Sequence, residues 1–167
     1  NPKTKTNRAL PVPSRIGTVI PSGEKEAIIA LEDGMYKINT ETGKVSLFSL
    51  LEANISENRF NDGKCDPVGR LWVGSMKLED KGKPANLYMM DHDGKASIKI
   101  DDVSISNGII WSSDHKTMFY VDSPTRKVRA FDFDVSTGNI SNERVLVELN
   151  EADGFPDGIT IDEEGML

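Results

Sequence analysis

The stretch RFNDGKCDPVGRLWVGSM, residues 59–76, decides the fold of this chain. It begins with polar residues that can bind oxygen-rich ligands, passes through a glycine and the turn-forming run at 66–69, and ends in an apolar segment that favours burial. This order predicts a functional site followed by the strand that supports it.

The same phrase occurs four times along the chain. Gly17, Gly63, Gly108 and Gly158 are separated by 46, 45 and 50 residues. Each glycine is followed by an apolar run, a turn and a second apolar run, which predicts two short antiparallel strands joined by a hairpin. The four phrases are TVI-PSGEKE-AIIA, KC-DPVG-RLWVG, IIW-SSDHK-TMFYV and ITI-DEEG-ML.

A second phrase lies between the copies of the first, with Asn or Asp followed closely by Gly between two strand-like runs. Its copies are MYKINTETGKVSLF, LYMMDHDGKASIKI and VRAFDFDVSTGNIS. We expect the chain to begin inside a fourth copy, in which residues 1–6 match residues 39–44. One period of about 45 to 50 residues therefore holds four strands, which is the size of a propeller blade. Residues 47–58 are predicted to be a loop with room for one helical turn, and residues 76–84 an exposed loop within a blade.

The repeat predicts an all-β fold that is a partial β-propeller. At this period 167 residues make about three and a half blades, whereas propellers close with about four to eight. We therefore expect residues 1–167 to form a single incomplete propeller region, with portions of the first and last blades absent. The remaining blades would come from a longer polypeptide or from a second chain.

Composition excludes several classes of partner. The net charge of -7 and the pI near 4.9 argue against nucleic acid or a membrane surface, which are bound mostly by basic patches. No apolar run is long enough to cross a membrane. The single cysteine, Cys65, excludes an intrachain disulfide and favours a reducing compartment such as the cytoplasm. We expect its thiol to be buried among apolar side chains.

The candidate functional residues are those directly before the repeat glycines, because neighbouring blades would point them toward a common channel. They are Ile16, Asp62, Asn107 and Asp157. The oxygens of Asn and Asp suit calcium, magnesium or manganese, and zinc also accepts them. The alternative is that these Asn-Gly and Asp-Gly pairs only form turns, and the pattern alone leaves both interpretations open.

Other kinds of site find little support. His92 and His115 lie in predicted hairpin turns, so we expect them to be solvated. The sequence shows no Gly-rich phosphate loop, nucleophile elbow or cysteine cluster for zinc. The aromatic residues of the repeated apolar runs are predicted to pack between blades, namely Trp72, Trp111, Phe119 and Tyr120.

These motifs resemble the senescence marker protein, gluconolactonase and luciferin-regenerating enzyme family, of which regucalcin is the best-known member. The resemblance covers the chain from about Arg15 to its end. It is carried by RFNDGK at 59–64 with DPVGR at 66–70, SNG at 106–108 with YVDS at 120–123, FDFD at 131–134 with TG at 137–138, and PDGI at 156–159.

The resemblance implies a six-bladed propeller with one divalent cation held by a Glu, an Asn and an Asp. Asn107 and Asp157 match the Asn and the Asp, but the Gly-Glu-x-Pro-x-Trp motif that would carry the Glu does not occur in this sequence. Arg59 and Asn61 match residues that hold the substrate. Glu79 matches a loop acid that can face sugar hydroxyls.

The resemblance therefore implies a metal-dependent hydrolase that opens sugar lactones to hydroxy acids. The cation would polarise the lactone carbonyl, Arg59 and Asn61 would orient the ring, and Asp157 would be the general base. We expect little activity from the 167 residues alone. Two alternatives stay open: a non-catalytic calcium-binding or interaction propeller, and another metal-dependent ester or phosphoester hydrolase on the same scaffold.

Overall fold

The computed structural model describes residues 3–79 and 84–167, which form twelve β-strands and two 3-10 helices. Blade 1 contains β1 (Val19–Gly23), β2 (Glu26–Leu31), β3 (Gly34–Asn39) and β4 (Val45–Leu50). Blade 2 contains β5 (Asn58–Cys65), β6 (Leu71–Lys77), β7 (Ala85–Met90) and β8 (Ala96–Val103). Blade 3 contains β9 (Ser106–Trp111), β10 (Thr117–Asp122), β11 (Lys127–Asp134) and β12 (Asn139–Glu148). The 3-10 helices are Ser123–Thr125 and Glu151–Asp153.

Each blade is an antiparallel sheet whose strands follow one another in chain order. The first strands of the three blades lie side by side, because β5 contacts both β1 and β9. These strands therefore form the inner wall of the arc, and the fourth strand of each blade is the outermost. The prediction of an all-β partial propeller is confirmed, and the two predicted hairpin phrases form in all three blades.

The hairpin between β5 and β6 shows how the opening stretch folds. The Asp66 carboxylate Oδ1 accepts hydrogen bonds from the backbone N–H of Val68 at 3.1 Å and of Arg70 at 3.0 Å. Gly69 has φ +87°, a conformation that glycine adopts without a steric penalty. The chain reverses here, and the apolar run that follows enters the core as β6.

The core lies between neighbouring blades. Between blades 2 and 3, the rings of Trp72, Trp111 and Phe133 contact one another with centroids 5.6 to 6.1 Å apart. Such aromatic pairs contribute about 0.5–1.5 kcal/mol each beyond the burial of their area. A second cluster, which includes Phe60 and Tyr88, packs between blades 1 and 2. The aromatics of the repeated runs thus serve packing as predicted, although Phe119 is only half-buried.

Arg70, which forms a buried ion pair within blade 2, also connects blade 2 to blade 3. Arg70 Nε donates to Asp66 Oδ2 at 2.6 Å, and Trp72 Nε1 donates to the same oxygen at 3.1 Å. The Arg70 guanidinium reaches across to donate to the carbonyl oxygens of Val135 at 2.8 Å and Ser136 at 3.4 Å. The turn of one blade is therefore tied to the turn of the next.

The beginning of the chain differs from the predicted fourth copy of the second phrase. Asn1 lies outside the described residues, and no strand forms between residue 3 and Val19. Leu10 and Val12 instead pack against the apolar cluster of blade 1, and Arg8 donates to the carbonyl oxygen of Thr40 at 2.8 Å. Side-chain contacts, rather than pairing with a strand, hold this segment against blade 1.

The last predicted hairpin forms its turn but not its strands. The N–H of Gly165 donates to the carbonyl oxygen of Asp162 at 3.1 Å, which closes the turn. Residues 154–161 belong to no strand or helix. A strand needs a neighbouring strand to accept its backbone hydrogen bonds, and none of the described residues supplies one here.

The helical turn allowed for residues 47–58 does not form in the described structure. Residues 47–50 belong to β4, and Glu52 adopts φ +62°, which a right-handed helix does not accommodate. The Glu52 carboxylate accepts hydrogen bonds from Ser75 Oγ at 2.8 Å and from the Tyr88 hydroxyl at 2.7 Å. These contacts to blade 2 hold the segment as a turn. Over the described ranges, no helix has the length and apolar character that a bilayer crossing requires.

Two smaller predictions have mixed outcomes. Cys65 is half-buried rather than fully buried, and burial raises the pKa of its thiol, with a further contribution from Asp66. His92 and His115 are exposed in turns as expected. The predicted loop at 76–84 starts later, because β6 continues to Lys77. Its residues 80–83 lie outside the described part of the chain.

Candidate functional site

The inner strands β5 and β9 each carry an irregularity at the repeat glycine. β5 shifts its register against β6 between Phe60 and Gly63, and β9 shifts at the equivalent place against β10. Such a bulge leaves a residue unpaired and re-aims its side chain. Asn61 and Asp62 on β5, and Asn107 on β9, are therefore directed to the inner side of the arc.

These side chains meet in a cavity of about 250 Å³ on the inner wall. Its lining residues are Gly17, Asn61, Asp62, Asn107, Asp157 and Gly158. A second cavity of about 550 Å³, which also contains Asp62, continues along the channel toward Thr160. The structure thus brings together three of the four residues that precede the repeat glycines, whereas Ile16 does not line the cavity.

A directed chain of hydrogen bonds fixes the orientation of the Asn107 amide. The Ser123 hydroxyl donates to the carbonyl oxygen of Pro156 at 2.6 Å, so its one proton is committed. Ser123 can then only accept from Asn107 Nδ2, at 2.7 Å. This turns Asn107 Oδ1 toward Asn61, whose Nδ2 donates to it at 3.1 Å. An amide oxygen has two lone pairs, so Asn107 Oδ1 keeps one free for a cation.

The backbone around Asp157 is held on two sides. The N–H of Gly108 donates to the Asp157 carbonyl oxygen at 3.1 Å, and Ser123 binds the carbonyl of the preceding residue, Pro156. A Cβ atom on Gly108 would approach the Asp157 carbonyl oxygen to 2.7 Å, so this close contact requires glycine. The Asp157 residue itself is exposed, which leaves its carboxylate accessible to a ligand.

Asp62 adds a second carboxylate to the cavity. Its Oδ1 accepts a hydrogen bond from the Gly63 N–H at 2.8 Å. Burial raises the pKa of Asp62, and the nearby Asp157 carboxylate raises it further, while the Gly63 N–H and Lys64 act in the opposite direction. A cation bound beside Asp62 would offset the cost of its ionised carboxylate.

Arg59 and Glu79 are not brought into this cavity. Arg59 Nη1 donates to the Phe60 carbonyl oxygen at 2.9 Å. Burial lowers the pKa of Arg59, and the nearby Arg15 lowers it further, whereas Glu32 raises it. Because Arg15 and Glu32 belong to the blade 1 part of the chain, Arg59 lies on the blade 1 side of the site. Glu79 is exposed. It directly precedes residues 80–83, which lie outside the described part of the chain.

The available ligands can be compared with what a cation needs. Within residues 3–79 and 84–167, no group of three or more His, Cys, Asp or Glu could hold a metal. Asn107 Oδ1 and the Asp157 carboxylate nevertheless form an all-oxygen pair of the kind that calcium, magnesium and manganese prefer. The residues present therefore fit a hard cation, and they provide two of the three ligands that the resemblance implies.

Ser123 is the residue of this site that sequence reasoning missed. It lies in the YVDS segment that contributes to the resemblance, but the motif gives no sign that its hydroxyl joins Asn107 to the segment before Asp157. A separate groove of about 350 Å³ lies between blades 1 and 2 at the hairpin turns, lined by Phe48, Leu71 and Met90 among others. None of the candidate site residues reaches that groove.

Comparison with known proteins gives the family. A family model described as the SMP-30/Gluconolactonase/LRE-like region matches residues 1–167. The chain belongs to this family. It is 34% identical over its whole length to YvrE, a proposed sugar lactone lactonase of Bacillus subtilis, and covers 57% of that protein. It is 37% identical to regucalcin of Xenopus laevis, with all of this chain and 58% of the relative aligned.

A solved structure agrees with this assignment. A luciferin-regenerating enzyme superposes with a TM-score of 0.90 and 34% identity, over 98% of this chain and 58% of the enzyme. The predicted family is confirmed. The chain spans a little over half the length of the curated relatives it matches.

Proposed function

We propose that the complete propeller is a metal-dependent hydrolase that opens sugar lactones to hydroxy acids. By complete propeller we mean this chain together with the remaining blades, which come from the rest of a longer polypeptide or from a second chain. The observation that carries the proposal is the convergence of Asn107 Oδ1 and Asp157 on one cavity beside Asn61. Membership of a family with a proposed sugar lactone lactonase supports it.

In this proposal Asn107 and Asp157 hold one divalent cation, with a third ligand from the other blades. Calcium, magnesium and manganese suit the two oxygen ligands best, and zinc is a further candidate. When bound, such a cation acts as a Lewis acid toward a carbonyl oxygen and acidifies water. The Ser123 hydrogen bond keeps the Asn107 amide from turning its nitrogen toward the cation.

The other side chains bind the lactone and move the proton. The Asn61 Nδ2 group already donates to the Ser106 carbonyl oxygen and to Asn107, so its Oδ1 is the atom left to accept a hydrogen bond from a ring hydroxyl. Arg59 supplies a donor at the blade 1 side of the ring. The Asp157 carboxylate accepts the proton of the attacking water and returns it to the ring oxygen as the acyl C–O bond breaks, which yields the hydroxy acid.

The partner in this proposal is a small lactone rather than a macromolecule, which agrees with the net charge of -7. Glu79 keeps its proposed role as a loop acid that faces sugar hydroxyls. The single cysteine favours the cytoplasm as the location.

The experiment is an assay of the complete propeller on a panel of aldonolactones, before and after chelation and with each of the four metals restored. Chelation and Asp157→Ala should each lower kcat by about a thousandfold or more, because both the Lewis acid and the base act in the transition state. Glu151→Ala, an exposed acid on the same segment, is the matched control and should keep full activity. Turnover that survives both chelation and Asp157→Ala would refute the proposal.

The second candidate is a non-catalytic calcium-binding propeller. It is favoured by a regucalcin from Agrobacterium tumefaciens that is described as a calcium-binding protein and is 29% identical to this chain, with a TM-score of 0.86. This candidate predicts calcium binding that is weakened by Asp157→Ala, with no hydrolysis of any lactone in the panel. Calorimetric titration with calcium beside the activity assay separates the two functions.

A further inference from the structure

An apolar pocket adjoins the proposed metal site. It has a volume of about 320 Å³ and lies between the 3-10 helix Ser123–Thr125 and the segment before Gly158. Its lining residues are Ile105, Asn107, Ser123, Pro124, Phe155, Pro156 and Asp157. Asn107 and Asp157 line both this pocket and the polar cavity. A molecule whose carbonyl lies at these two residues therefore reaches the pocket without leaving the site.

Away from Asn107 and Asp157, the side chains that line this pocket are mostly apolar. Ile105 and Pro124 form one side, and Phe155 and Pro156 form the other. The Ser123 hydroxyl is already committed to the Pro156 carbonyl oxygen. A hydroxylated arm of a sugar would lose hydrogen bonds to water here with few replacements, which is costly. An alkyl or aryl arm would instead release water from apolar surface, which is favourable.

Hydrogen bonds and a cation–π contact hold the pocket in shape. The Arg126 guanidinium stacks on the Phe155 ring, 4.3 Å from its centroid. Arg126 Nη1 also donates to the carbonyl oxygens of Glu151 at 3.0 Å and Gly154 at 3.2 Å. The two prolines have a fixed φ. Because the pocket is already formed in the free protein, little conformational entropy is lost when the ligand binds.

We propose that this pocket binds an apolar arm of the substrate, so that the site takes lactones carrying an alkyl or aryl substituent beside the sugar lactones. The lactone ring lies at Asn107 and Asp157, and the arm lies between Pro124 and Phe155. The proposal rests on the proposed function, and it adds a second substrate class to this site.

The test compares two lactones on the metal-loaded complete propeller. Glucono-δ-lactone carries hydroxyl groups only, whereas a δ-lactone with a pentyl substituent carries an apolar arm. We expect the enzyme to hydrolyse both lactones. Phe155→Ser should lower kcat/KM for the pentyl lactone by about tenfold or more and change the value for gluconolactone by less than about threefold, because only the pentyl arm loses buried contact.

Leu146→Ser is the matched control, since Leu146 is an exposed apolar residue of β12 outside the pocket. Pro124→Ser changes the opposite wall and gives a second variant should Phe155→Ser fail to fold. Equal losses for both lactones, or no loss in either variant, would overturn the proposal.

A binding measurement separates this proposal from the proposed function. The pentyl lactam has the same shape as the pentyl lactone but resists hydrolysis, so its calorimetric affinity reports on the pocket without turnover. If neither lactone is hydrolysed, the proposed function fails, and lactam binding that weakens about tenfold in Phe155→Ser still supports the apolar pocket. Lactam binding that is unchanged in this variant overturns it.

Discussion

Blades 2 and 3 have the same four-stranded architecture, but their main polar contacts lie at opposite ends. In blade 2 the buried Asp66–Arg70 pair lies at the hairpin turn between the first two strands. In blade 3 the Asn107–Ser123 contact lies at the channel end of the same two strands. The strand pairing places Ser75 at the position in blade 2 that Ser123 occupies in blade 3, and the Ser75 hydroxyl donates to Glu52 at 2.8 Å instead of joining the channel site.

This difference separates the scaffold from the site. Asn107 is held by a hydroxyl from the neighbouring strand, so its oxygen has one orientation and suits a metal ligand. Among the described residues, the Asp62 side chain accepts a hydrogen bond only from the N–H of its neighbour, Gly63. The same repeat position is therefore a fixed ligand in blade 3 and an unpaired carboxylate in blade 2. The difference depends on whether a hydroxyl group at the end of the second strand holds the side chain at this position.

The largest expected effect concerns the hairpin end of blade 2. Asp66→Ala leaves the Arg70 guanidinium buried without its carboxylate and removes the acceptor of Trp72 Nε1. Removing one partner of a buried ion pair costs about 3–5 kcal/mol. Guanidinium unfolding of the complete propeller, followed by tryptophan fluorescence, measures this loss. Asp114→Ala, in the exposed turn of blade 3, is the control and should change little. Equal losses of unfolding free energy in Asp66→Ala and Asp114→Ala would contradict this difference between blades 2 and 3.

A smaller effect is expected at the channel end of blade 3. Ser123→Ala frees the Asn107 amide to rotate and removes the donor to Pro156, so we expect calcium affinity to fall about tenfold. Ser123→Thr keeps the hydroxyl and should restore most of the affinity. Calorimetric titration of the complete propeller with calcium checks both results.

The control for Ser123 is Thr125→Ala in the same 3-10 helix. The Thr125 hydroxyl donates to the Asp122 carbonyl oxygen and does not contact the site, so its loss should leave calcium affinity unchanged. If Ser123→Ala binds calcium as tightly as the unchanged protein, the Asn107 orientation does not depend on this hydroxyl.

Much of the fold could be predicted because the information is local. The spacing of the repeat glycines and the turn residues around Asp66 predict hairpins without knowledge of distant contacts. The segment at Glu52 and the two ends of the chain could not be predicted in the same way. Glu52 adopts its turn because its carboxylate bonds Ser75 and Tyr88 of another blade, 23 and 36 residues away. Propensity within a short window contains no such information.

The site was predictable to a similar degree. The repeat alone indicates that Asp62, Asn107 and Asp157 approach one channel, and the structure places them in one cavity. The role of Ser123 depends on which acceptor takes a single hydroxyl proton, and that acceptor is 33 residues further along the chain. Hydrogen-bond direction of this kind follows only from the three-dimensional arrangement.

The smallest effect is expected at Asp62, where blade 2 carries its unpaired charge. Because its pKa is raised in the fold, ionised Asp62 opposes folding above the folded pKa, and this penalty disappears below the ordinary value of 3.8. Asp62→Asn removes the penalty, so in metal-free buffer the Tm of the complete propeller should rise by about 1–2 °C at pH 7 and converge with that of the unchanged protein toward pH 3. Asp93→Asn, an exposed turn residue of blade 2, is the control. If Asp62→Asn instead lowers the Tm at pH 7, Asp62 has a stabilising partner. Blades 2 and 3 would then both hold the side chain at this repeat position through a bonded partner.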